Sequence, residues 1–231
     1  MVVAAGLWAV GTVGGVVTAV VVPVAMARAR RDLTLAPVAG VWLLPVVPPM
    51  VSAATGAGLV AHAGGARGAL LVILYVLFGL GLTGSVAMIA LVLTRVARHG
   101  TGPARTVPAL WIVLGPLGQS VTAASLLGDA AGGHRAEAFA LWYGVPAWTC
   151  AMAWLAVVAV LTARAARTGL PFSAAWWGFV FPVGTVVTGT SRLAERGGSA
   201  TLAAIAIALF VVLLAFWALT AARAVASPAL R

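Results

Sequence analysis

The sequence predicts an all-α protein that crosses a lipid bilayer several times. Three observations carry this. Of 231 residues, 63% are hydrophobic and only 8% are charged. The mean hydropathy is +1.12. Apolar runs long enough to span recur seven times between short connections that hold the arginines. A soluble domain carries roughly 25% charged residues, so a water-soluble globule is excluded. A spanning helix consumes about 20 residues, and these runs show no strand-like alternation, which selects helices.

In chain order the spans fall at 2–26, 38–61, 69–94, 107–128, 138–163, 172–191 and 200–222. The first is apolar from Val3 and stops before Arg28, Arg30 and Arg31; it lacks the basic start of a signal peptide. The second holds Trp42, Pro45 and Pro49, and the third runs smoothly from Arg67 towards Arg95. The fourth follows Arg105 and holds Pro116; the fifth lies between Arg135 and Arg164. The sixth holds Pro182 and ends at Arg192, and the seventh, the smoothest, ends at Arg223.

The charges set the orientation and remove several functions. All 14 basic residues are arginine, there is no lysine, and the acids are Asp32, Asp129, Glu137 and Glu195. Arg28, Arg30, Arg31, Arg95, Arg98, Arg105, Arg164, Arg167, Arg223 and Arg231 fall on one side of the membrane; Arg67, Arg135, Arg192 and Arg196 fall on the other. The positive-inside rule makes the first side cytoplasmic, which puts the C-terminus inside, Met1 outside and the chain in the plasma (inner) membrane as a multi-pass protein.

Without lysine a retinal Schiff base is impossible. The net charge of +10 is dispersed among the connections rather than gathered in a patch, so nucleic acid is not a partner. Cys150 stands alone, which leaves no disulfide framework or thiolate metal site. His62, His99 and His134 sit at span ends, unsuited to haem ligation across helices. Thr83, Gly84 and Ser85 lack the order and the histidine of an intramembrane serine protease. No catalytic residue, cofactor or metal is expected.

Three spans repeat one pattern: Pro49, Ser52, Thr55; Pro116, Gln119, Thr122 with Ser125 one turn further; Pro182, Thr185, Thr188. Their prolines are 67 and 66 residues apart, and Trp42, Trp111 and Trp177 lie upstream. Each patterned span is followed by a smoother one. The chain therefore reads as a single transmembrane domain, 1–231, with an orphan outer helix at 2–26 and hairpin repeats at 37–97, 107–167 and 171–227.

Units of constant length with an even number of spans enter from the same side, so they surround an axis along the membrane normal. Polar residues three apart share a helix face, and in hydrocarbon such a face turns inward. The patterned helices are expected to line a central conduit and to kink at Pro45, Pro49, Pro116 and Pro182, where each proline frees a carbonyl. Freed carbonyls favour cations, whereas the arginine-rich mouths present a positive field. The competing expectation is that the hydroxyls serve only as interhelical contacts. Gly11 and Gly15 form one G-x-x-x-G, expected to pack against a neighbouring helix.

The segments WLLPVVPPMVSAATG (Trp42–Gly56), WIVLGPLGQSVTAASLLG (Trp111–Gly128) and WWGFVFPVGTVVTGT (Trp176–Thr190) resemble the tellurite-resistance/C4-dicarboxylate transporter family, whose fold voltage-dependent and slow anion channels share. The resemblance implies ten helices in five pseudo-symmetric hairpins, the odd ones forming an inner ring around a pore. The seven spans here match helices four to ten, an N-terminally truncated form, with trimers as the usual assembly.

It also implies transport of small inorganic or organic anions (C4-dicarboxylates such as malate, tellurite, sulfite or halide). Phe181 matches the residue that plugs the pore. Pro48 and Gly115 stand at the equivalent place in the other repeats, so one bulky ring faces small neighbours. The alternatives are a proton-linked carrier of the same substrates and a membrane protein that transports nothing.

Overall fold

In the computed structural model residues 2–29, 35 and 37–227 are described. Arg30, Arg31 and Arg231, counted in the charge split, Met1, assigned to one side by it, and Asp32 lie outside the described residues. Seven α-helices occupy the seven spans: α1 (Val2–Ala29), α2 (Pro48–Ala57), α3 (Arg67–His99), α4 (Leu114–Ala131), α5 (His134–Arg167), α6 (Val180–Gly197) and α7 (Ala200–Ala226). The chain is an all-α polytopic membrane protein.

Helices of two kinds alternate. α1, α3, α5 and α7 are long and apolar. α2, α4 and α6 are shorter, and a 3-10 segment leads into each: Gly40–Leu43, Ala104–Val113 and Ala174–Phe179. In the Ala104–Ala131 span 89% of the most apolar window is buried, against 28% or less in the four long helices. The 3-10/α segments therefore form the interior and the long helices the rim. Five segments among the described residues are long and apolar enough to cross a bilayer, and α2 and α6 fall short of that test.

The expected proline kinks take a different form. Pro48 and Pro49 open α2, while Pro116 and Pro182 are each the third residue of an α-helix. Pro45 lies between the Gly40–Leu43 segment and α2, inside neither helix. A proline in the first α-turn fits the backbone already there. The repeated prolines thus mark where 3-10 winding gives way to α. The prolines that lie inside α-helices are Pro23 and Pro146, in the long α1 and α5.

Glycine permits the tight packing of the interior. A Cβ on Gly118 would lie 2.5 Å from the backbone of Thr185 and Val186, and one on Gly189 would lie 2.9 Å from the Gly118 carbonyl, so α4 and α6 touch main chain to main chain. Gly15 of the G-x-x-x-G pair meets the Pro48 ring. Indole N–H groups tie rim to interior: Trp8 donates to the Ser52 carbonyl at 2.9 Å, Trp148 to Thr190 Oγ1 at 2.9 Å, and Trp154 to the Leu110 carbonyl at 3.0 Å. Beneath α7, the buried Trp111 and Phe179 pack edge to face with ring centres 5.2 Å apart. Trp177, singled out by its spacing, is exposed; its neighbour Trp176 takes the buried position.

Candidate functional site

The start of the three inner α-helices borders one cavity of about 480 Å³. From α2 it is lined by Pro48, Ser52 and Thr55, from α4 by Gly115 and Pro116, and from α6 by Phe181. Trp8 and Gly11 close it on the α1 side. Phe181 is 51% exposed, and its Cε1 lies 3.7 Å from the place a Gly115 Cβ would occupy. A side chain at position 115 would meet the ring; glycine leaves that space to it. Pro48, Gly115 and Phe181 are the residues just before the repeat prolines, and all three meet in this cavity.

The next layer is closer. Thr122 and Thr188, each six residues past its proline, share a hydrogen bond of 3.0 Å. One hydroxyl donates to the other, and the accepting one keeps its own proton for its own helix, Thr122 towards the Gly118 carbonyl at 3.2 Å or Thr188 towards the Thr185 carbonyl at 3.0 Å. Thr185 is buried and reaches the Pro182 carbonyl at 2.7 Å and the Leu114 carbonyl at 3.3 Å. Gln119 and Pro182 are buried away from the cavity lining, as is Pro49.

The expected polar lining therefore divides. Ser52, Thr55, Pro116 and Phe181 border the cavity; Thr122, Thr185 and Thr188 join α4 to α6. Pro45 is half-buried and does not line the cavity.

Ser125 belongs to a separate polar cluster at the far ends of α4 and α6. Arg196 donates to the Ser125 carbonyl at 3.0 Å, to Ser125 Oγ at 3.2 Å and to Asp129 Oδ1. Arg67 donates to the carbonyls of Ala130 and Ala131 at 2.7 and 3.2 Å, capping the end of α4. At the opposite end Arg95 donates to the Gly100 carbonyl at 2.9 Å, and the Arg105 carbonyl accepts from Ser173 at 3.3 Å.

Sequence reasoning passed over the Arg196–Asp129 pair and the α1 wall. The first had a signal: the partners are 67 residues apart, one repeat length. Trp8, a lone indole within a helix otherwise apolar at that end, was the signal for the second.

A family model described as voltage-dependent anion channel matches residues 1–225. The chain belongs to the voltage-dependent anion channel family. Among curated members, two uncharacterized transporters of Methanocaldococcus jannaschii are each 26% identical, covering 92% of this chain and 63% and 62% of their own lengths. A sulfite efflux pump of Arthroderma otae is also 26% identical, over 92% of this chain and 60% of its own length. The chain spans about three fifths of the curated relatives it matches. No solved structure matches it. The names of these relatives describe transporters and an efflux pump.

Proposed function

We propose that this chain forms part of a conduit for small anions, in which ions pass the proline-level cavity and Phe181 closes it. The observation that carries this reading is the convergence of all three repeats, through Pro48, Gly115 and Phe181, on one space. Among the described residues no ionisable side chain lines it. Weakly polar hydroxyls and apolar surface let an anion shed water without being held. The arginines at the two ends supply the positive field that concentrates anions. Sulfite is the first substrate to test, given the relatives' names; malate and other C4-dicarboxylates, tellurite and halide follow. The C-terminus is cytoplasmic in this reading, and the membrane is the plasma membrane.

A proton-linked carrier is the second reading, favoured by the relatives named as efflux pumps. Flux that reverses with voltage alone marks a channel, and flux that requires a pH gradient marks the carrier. The test is sulfite and malate flux from liposomes holding the purified chain, wild type against Phe181→Ala. Removing the ring should raise flux about tenfold, the equivalent of roughly 1.4 kcal/mol of barrier. Equal flux in both proteins overturns the gate. No flux from either, with both stably folded, leaves a membrane protein that does not transport.

A further inference from the structure

The polar faces of α4 and α6 continue past the threonine pair to the end of the bundle. Thr122, Ser125 and Asp129 follow at helical spacing on α4, and Thr188, Arg192 and Glu195 on α6. With Arg196 they end in a separate cavity of about 230 Å³ lined by Ser125, Asp129, Arg192, Glu195 and Arg196. Its charges cancel: Arg196 holds Asp129, and Arg192 holds Glu195 at 3.1 Å.

The two halves of the Arg196 pair differ in freedom. The arginine side chain is 13% exposed and is fixed from α4 by the carbonyl and hydroxyl of Ser125. The aspartate side chain is 52% exposed. A largely buried guanidinium requires an anionic partner, yet nothing but the pair itself retains this one. A guanidinium fork suits any carboxylate or oxyanion. If Asp129 swings into solvent, Ser125 keeps Arg196 in place and a free anion can take the vacated position. Arg192, whose exposed carboxylate partner is also easily displaced, stands in the same cavity to meet a second negative charge.

We propose that Arg196 and Ser125 form a capture site for small dianions, a dicarboxylate or a divalent oxyanion, and that Asp129 occupies it as a built-in competitor. The choice of ligand rests on the anion-conduit reading; the site itself does not.

Equilibrium binding of radiolabelled malate to the purified full chain in detergent tests the site apart from transport. If the Asp129-occupied state holds about nine molecules in ten, Asp129→Asn should tighten malate binding about tenfold. Arg196→Gln added to Asp129→Asn should abolish that gain, and sulfite should compete where chloride at equal concentration does not. Should Arg196→Gln fail to fold, Ser125→Ala in the Asp129→Asn background keeps the charge, removes its orientation, and should cost at least about threefold. The same affinity in wild type and Asp129→Asn, or a gain that survives loss of Arg196, overturns the proposal. Tighter binding by Asp129→Asn with no flux from liposomes keeps the site and removes the conduit; flux with binding unchanged across the variants does the reverse.

Discussion

Gly115 and Gly118 sit less than one turn apart on α4 and face different surroundings. At Gly115 the nearest neighbour of an added Cβ is the edge of the Phe181 ring, at ordinary contact distance; at Gly118 it is the backbone of α6, at 2.5 Å. One glycine leaves a space and the other removes one. The same division separates Ser52 and Thr55, which border the cavity, from Thr122 and Thr188, which bind each other. A repeat fixes where a residue lies along a helix. The neighbour across the gap decides whether it lines a cavity or closes an interface, and α4, flanked by both α2 and α6, does both.

Substitutions can break this contrast, beginning with the largest effect. Gly118→Ala should cost about 3 kcal/mol, the upper end for overpacking a tight interface, and should be read as loss of monodisperse protein in detergent. Gly115→Leu should leave thermal stability within about 2 °C of wild type while cutting anion flux about tenfold, because the added side chain fills the cavity against Phe181. If both variants behave alike, the two positions are not different in kind. Trp148→Phe removes the donor to the buried Thr190 and should cost about 1 kcal/mol, seen as a lowered unfolding temperature with flux unchanged. Thr188→Val should have the smallest effect, about 0.6 kcal/mol for an interhelical hydrogen bond in a membrane protein; a large loss of flux there would move the threonine pair from the interface into the conduit.

Much of the architecture was legible because hydrophobic length is a strong signal. Seven apolar runs correspond to seven helices among the described residues, and Pro48, Gly115 and Phe181, spaced 67 and 66 residues apart, border one cavity. Three things were not legible, each for a physical reason. The 3-10 segments are as apolar as the α-helices they lead into, so neither hydropathy nor proline spacing marks the change, and the prolines read as kinks. Trp176 and Trp177 are adjacent and chemically identical; only the turn of the preceding segment decides which is buried. The division of the polar residues depends on contacts between helices about 66 residues apart, which a pattern within one helix does not encode.

The change from 3-10 to α winding sets the bearing of Phe181. The tighter coil advances about 2.0 Å and 120° per residue and the looser one about 1.5 Å and 100°. Each residue exchanged between the two therefore rotates everything downstream by about 20° and shifts it by about 0.5 Å. The 3-10 segment ends at Phe179, two positions before the ring. Moving that boundary by one residue would swivel the aromatic side chain together with the rest of α6.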